Sequence, residues 1–122
     1  ISNFIVQALH NKPLTIFGDG NQTRSFCYVD DLIKGTISLM NSNYKSPINI
    51  GNSNEYSINQ LSDLIIKKIN PSLGKVFQAL PEDDPKKRNP SISLAKEYLH
   101  WEPRVDLDLG INKTIDYFKK IL

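Results

Sequence analysis

The sequence predicts an α/β or α+β fold in one unit, residues 1–122, whose few strands look like parts of a larger sheet. Three observations predict it. Short runs of β-branched and aromatic residues alternate with longer stretches whose apolar residues recur at helical spacing. The strand candidates are few and irregularly spaced along the 122 residues. No linker, repeat or low-complexity segment divides the chain.

The elements follow in order. Ile1, Phe4, Ile5, Ala8 and Leu9 have helical spacing, which predicts a helix over 2–10 ended by Asn11-Lys12-Pro13. The first residue is Ile, and no capping residue precedes the apolar pattern, so the helix is expected to be cut and the chain to be a piece of something longer. A strand is expected at 14–17, closed by Gly18-Asp19-Gly20-Asn21, and an extended stretch at 24–29. Asp30 or Asp31 can cap the next helix, with Leu32, Ile33, Thr36, Ile37 and Met40 on one inward face.

Residues 47–52 read as a brief strand and a tight turn. Ser57 is expected to cap a helix bearing Ile58, Leu61, Leu64, Ile65 and Ile69, stopped by Asn70-Pro71. A strand at 75–80 and a polar loop at 81–90 follow. Ser91 or Ser93 caps a short helix to Leu99, and Trp101 is expected to plug the junction of the last two helices. The final helix, 108–121, turns Leu109, Ile111, Ile115 and Phe118 inward.

Composition excludes several function classes. Fifteen Lys+Arg stand against 13 Asp+Glu, a net charge of +2 that gives no electrostatic footprint for nucleic acid or an anionic membrane. No apolar run approaches the roughly 20 residues that span a bilayer, and no secretory signal pattern is present. One cysteine, Cys27, cannot form an internal disulfide and is expected to be buried in the strand at 24–29. These features suit a cytoplasmic location. Two distant histidines and one cysteine argue against a zinc site.

Few residues carry a chemical signal on their own. Arg24 sits at a loop–strand junction, where a guanidinium fork can hold a phosphate. Arg88 lies with Lys86 and Lys87 in a Pro-bounded loop that also holds Asp83 and Asp84. Either arginine reads equally as an ordinary surface residue, and the adjacent carboxylates are not expected to act as an acid–base pair. Phe17, Phe26, Tyr28 and Tyr56 could stack on a base, although aromatics on strands more often pack in a core.

As a string, the chain says more. Ile1-Ser-Asn-Phe-Ile-Val-Gln-Ala-Leu, Lys12-Pro-Leu-Thr-Ile-Phe-Gly-Asp-Gly, Gln22-Thr-Arg-Ser-Phe-Cys-Tyr-Val-Asp-Asp-Leu, Pro47-Ile-Asn-Ile-Gly-Asn, Leu80-Pro-Glu-Asp-Asp-Pro-Lys-Lys-Arg-Asn-Pro and Leu99-His-Trp-Glu-Pro together cover nearly the whole sequence. They resemble the C-terminal, nucleotide-sugar-binding part of extended short-chain dehydrogenase/reductases, the NAD-dependent epimerase/dehydratase family. Within it the chain looks most like the UDP-glucuronate decarboxylases. The resemblance implies a few strands completing a Rossmann-type sheet whose NAD-binding part lies outside this chain. It also implies a UDP-sugar substrate and a homodimeric parent. Arg24 and Arg88 would contact the diphosphate from opposite loops. Phe17 would lie beside the uracil, backbone groups around Ile16 would read the base edge, and Gln22 would lie near the ribose or phosphate. Ser91 stands where the family usually has Asp for the ribose hydroxyls, and His100 replaces a common Gly at a helix end.

The family's Gly-rich dinucleotide turn and its Tyr-x-x-x-Lys pair are not in this sequence, so no catalytic residue is expected on it. A dTDP-glucose 4,6-dehydratase or a nucleotide-sugar 4-epimerase shares the scaffold and is the rival enzyme. A non-catalytic nucleotide-binding module is the rival of another class. A cut chain would expose apolar surface and self-associate; a complete module would not.

Overall fold

The computed structural model describes residues 1–81 and 88–122. Five helices and four strands follow the order α1 (Ser2–Leu9), β1 (Leu14–Phe17), β2 (Thr23–Ser25), α2 (Val29–Met40), β3 (Glu55–Ser57), α3 (Ile58–Ile69), β4 (Lys75–Gln78), α4 (Ser93–Leu99) and α5 (Leu107–Ile121). The mixture of helix with a parallel strand pair is the expected α/β character. Among the described residues the strands form two separate pairs rather than one sheet: β1 runs parallel to β4, and β2 antiparallel to β3.

The main core lies where α1, α3 and α5 close over β1. Ile5 and Ala8 of α1, Leu14 of β1, Leu61 and Ile65 of α3, and Ile111 and Ile115 of α5 form one buried cluster. Each helix contributes residues three or four apart, so a single stripe faces inward. Helix α3 starts as its sequence dictates. The Ser57 hydroxyl accepts from the Gln60 N–H at 3.0 Å, and the Gln60 side chain accepts from the Ser57 N–H at 2.8 Å, a reciprocal capping box. Asp106 caps α5 by accepting from the Leu109 N–H.

Elsewhere the structure corrects the sequence reading. Neither Asp30 nor Asp31 caps α2, whose N-cap is Tyr28 without a side-chain bond. Asp31 lies in the first turn, 3% exposed, and its carboxylate accepts from the backbone N–H groups of Arg104 and Val105 at 3.1 and 2.9 Å. Trp101 fills the same corner: its indole N–H donates to the Asp31 carbonyl. It therefore locks the α4–α5 connection onto α2 rather than merely plugging that connection. Gly35 makes the close approach possible, since a Cβ there would lie 3.0 Å from the Trp101 ring and 2.6 Å from Ile50.

The face of α2 expected inward points outward. Leu32, Ile33, Thr36, Ile37 and Met40 are all exposed, Met40 at 77%. Helical periodicity identifies an apolar stripe but not its neighbour. Leu109 of α5 is likewise exposed. Residues 47–52 form no strand, and only the start of the 24–29 stretch joins a ladder. An extended segment becomes a strand only where another backbone pairs with it. Ser91 and Ser93 do not cap α4: its N-cap is Ile92, and the two hydroxyls lie 3.2 Å from each other. No helix among the described residues is long and apolar enough to cross a membrane.

Candidate functional site

A cleft of about 700 Å³ opens between α1, β1 and the start of β2. Ile1, Asn3, Phe4, Val6 and Gln7 form one wall. Thr15 and Phe17 of β1 form the floor with Gln78, and Gln22, Arg24 and Ile58 close the end. Three of the sequence-predicted residues, Phe17, Gln22 and Arg24, thus meet in one concavity.

The turn at 18–21 places them. Gly18 and Gly20 adopt φ of 73° and 79°, the left-handed region that glycine enters without steric cost. The first turn of α3 holds this turn in place. The Asn59 N–H donates to the Gly20 carbonyl, Asn59 Nδ2 donates to the Asp19 carbonyl at 3.0 Å, and the Ile58 N–H donates to the Gln22 carbonyl. Arg24 then sits on β2 opposite Tyr56, and one of its guanidinium N–H groups donates to the Thr23 carbonyl at 2.7 Å.

Gln22 is 9% exposed, and its Nε2 donates to the Phe17 carbonyl at 2.7 Å. The Ile16 side chain is fully buried. Around it, alternate residues of β1 face β4, as the Leu14 N–H to Gly74 and Gly18 N–H to Gln78 bonds show. Thr15 and Phe17 turn their backbone groups the other way, toward the cleft. Phe17 itself is 46% exposed, an apolar ring open to a flat ligand.

Arg88 is exposed and outside every helix and strand. Its neighbour Asn89 accepts from the Ser25 hydroxyl at 3.1 Å, which anchors this loop beside β2, one residue from Arg24. Ser91 is exposed, and its carbonyl accepts from Asn49 Nδ2 at 3.3 Å. Asp83, Asp84, Lys86 and Lys87 lie outside the described residues.

Cys27 does not sit in a strand, and it is half-buried rather than buried. It lines a second cavity of about 270 Å³ with Phe26, Tyr28, Val105 and Leu107. Burial first, and the Asp31 carboxylate second, push its thiol above the ordinary range. Among the described residues no group of three His, Cys, Asp or Glu could hold a metal. His100 ends α4 at φ 50°, the left-handed position where a glycine is the usual occupant.

Residues 1–51 match the family described as NAD dependent epimerase/dehydratase. UDP-glucuronic acid decarboxylase 1 of Xenopus tropicalis is 51% identical across all of this chain, which spans 29% of that relative. UDP-glucuronic acid decarboxylase 1 of Arabidopsis thaliana is 41% identical over 98% of the chain and 27% of the relative. The chain is thus similar along its whole length to these decarboxylases and, over residues 1–51, to the NAD dependent epimerase/dehydratase family. A solved UDP-glucuronic acid 4-epimerase from Bacillus cereus, in complex with UDP-glucuronic acid and NAD, superposes with a TM-score of 0.91. It is 36% identical over 98% of this chain and 39% of its own.

The family name implies NAD. Helices α2 to α5 follow Tyr28, Ser57, Ile92 and Asp106, and none of these four opens from a Gly-rich turn that could seat a dinucleotide pyrophosphate. No tyrosine is followed four residues later by lysine. These residues do not fit NAD.

Two side chains that shape the cleft gave no functional signal in the sequence. Gln7 reads as one residue in an apolar helix, and Asn59 as an ordinary first-turn position. The available hint was a long polar amide inside the run Phe4-Ile5-Val6-Gln7-Ala8-Leu9.

Proposed function

We propose that this chain supplies the nucleotide-binding side of an enzyme that converts UDP-glucuronate to UDP-xylose and carbon dioxide. The observation that carries the proposal is the convergence of Phe17, Gln22 and Arg24 on one cleft, with the Arg88 loop tied to Ser25 beside it. Arg24 and Arg88 hold the diphosphate from two sides through charge-assisted hydrogen bonds. The Phe17 ring lies along the uracil, and the backbone around Ile16 reads its edge. Gln22 orders the Phe17 end of the strand next to the ribose and phosphate, and the Ser91 hydroxyl pairs with a ribose hydroxyl without charge. Grip on these remote groups orients the sugar at a reacting centre supplied from outside this chain. The named relatives at 41% and 51% identity support decarboxylation.

Arg24→Ala in the enzyme that contains this chain is expected to weaken UDP binding about 10- to 100-fold, the worth of a hydrogen bond to a charged group. NAD binding is expected to change far less, and equal losses for both ligands would refute the assignment. The chain by itself is expected to release no carbon dioxide from UDP-glucuronate with added NAD; release above a blank would overturn that. A 4-epimerase is the second reading, because the Bacillus cereus structure at 36% identity is a UDP-glucuronic acid 4-epimerase. Product analysis separates the two, since only decarboxylation yields a pentose. We place the parent enzyme as a homodimer, which sedimentation of the intact protein tests.

A further inference from the structure

Two glutamines from different parts of the chain grip the cleft-facing edge of β1. From α1, Gln7 Nε2 donates to the Thr15 hydroxyl at 3.0 Å, and Gln7 Oε1 accepts from the Thr15 N–H at 3.1 Å. From the loop before β2, Gln22 Nε2 donates to the Phe17 carbonyl at 2.7 Å. In a strand the N–H and C=O of one residue point to the same side, and residues 15 and 17 share the side that β4 leaves open. Four backbone groups therefore lie in sequence along this edge: Thr15 N–H, Thr15 C=O, Phe17 N–H and Phe17 C=O. The glutamines occupy the outer two. Among the described residues, one acceptor and one donor, side by side, remain toward the cleft.

We propose that Gln7 and Gln22 are positioning residues that reduce this strand edge to a single-register reader of a nucleobase with adjacent donor and acceptor atoms. The inference rests on the nucleotide-binding reading above and adds to it the groups that set the register. An unclamped edge of four alternating groups accepts a planar ring at more than one position, and also accepts another strand. With both ends occupied, a uracil ring has one register along the strand. Its N3–H donates to the Thr15 carbonyl, and a ring carbonyl beside it accepts from the Phe17 N–H. Both glutamines are tied to the backbone before any ligand arrives, so the edge is ordered in advance.

The test uses the intact protein that carries this chain. Dissociation constants are measured for UDP and for ribose 5-diphosphate, which keeps the ribose and diphosphate but has no base. In Gln22→Met and Gln7→Met, UDP affinity is expected to fall about tenfold, the worth of roughly one net hydrogen bond. Affinity for ribose 5-diphosphate is expected to hold in Gln7→Met, and in Gln22→Met, whose side chain lies near the ribose and phosphate, to fall clearly less than that for UDP. A parallel fall for both ligands would show that the glutamines merely support the fold, and an unchanged UDP affinity would show that the clamp is not used. Either result overturns the proposal. The wild type gives a second measurement that needs no variant: N3-methyl-UDP, which has no donor at N3, is expected to bind about tenfold more weakly than UDP. Equal affinity refutes the register. A wild type that binds UDP no better than ribose 5-diphosphate overturns the base-reading function itself, a result distinct from a failure of the glutamine variants alone.

Discussion

Replacing Gly20 with alanine is expected to destabilise the fold by about 2 kcal/mol, in two parts. At φ 79° an alanine sits in the left-handed region, at about 1 kcal/mol. The added Cβ would also fall 2.6 Å from Asn59 Cγ and 2.7 Å from Asn59 Nδ2. That is closer than a real Cβ tolerates, so the Asn59 side chain must swing away. Moving it breaks the Nδ2 bond to the Asp19 carbonyl, worth about 1 kcal/mol net. Gly18 isolates the second part. Its φ of 73° is nearly the same, but its nearest neighbour is the flexible end of Leu80 at 3.3 Å, so Gly18→Ala should cost only about 1 kcal/mol. Gly74→Ala, with nothing within 4 Å, should lie within about 0.5 kcal/mol of wild type. Urea unfolding followed by the fluorescence of Trp101, the single tryptophan of the chain, reads all three. If Gly20→Ala costs no more than Gly18→Ala, the Asn59 contact does not hold the turn.

Three further outcomes follow from the same geometry. Asp31→Ala leaves the Arg104 and Val105 N–H groups without their carboxylate and should cost about 2–4 kcal/mol, with a shift in Trp101 emission reporting the loosened corner. An unchanged unfolding midpoint would mean that water replaces the carboxylate at no cost. Cys27, whose thiol is raised by burial and by Asp31, should react with iodoacetamide more slowly at pH 8 than a free thiol does, gaining rate only above the ordinary thiol range. The sign for stability follows. The protonated thiol is favoured in the fold, so its contribution is whole below the unfolded pKa and is lost as pH climbs through the raised value. His100→Gly should stabilise the protein by about 0.5–1 kcal/mol in thermal unfolding, because glycine adopts φ 50° without strain.

How much was legible in the sequence depended on how local each cause is. The helix at Ser57 was readable because its cap and its box partner Gln60 lie three residues apart. The strand at Leu14–Phe17 was readable because Pro13 and Gly18 bound it. Asp31 was misread because its acceptor role is fixed by backbone more than seventy positions away. The outward face of α2 was misread for the same reason: an apolar stripe carries no information about which element covers it. At the site, Arg24 could be picked out by residue type and junction position. Gln7 could not, because its meaning comes from a strand that folds back against α1 only in the tertiary structure.

The pairing of β1 with β4 has a consequence for the order in which the molecule assembles. Nearly half the chain lies between the two strands, whereas the Gln7 bonds to Thr15 span eight residues. Distant pairings carry a larger loop-closure entropy and form later. In pulse-labelled refolding, the Thr15 amide should therefore gain protection before the Leu14 and Gly18 amides, which donate to Gly74 and Gln78. Simultaneous protection would place β4 in the folding nucleus instead. On this ordering the strand edge that faces the cleft is set by its nearest neighbours first, and the parallel strand behind it arrives as reinforcement.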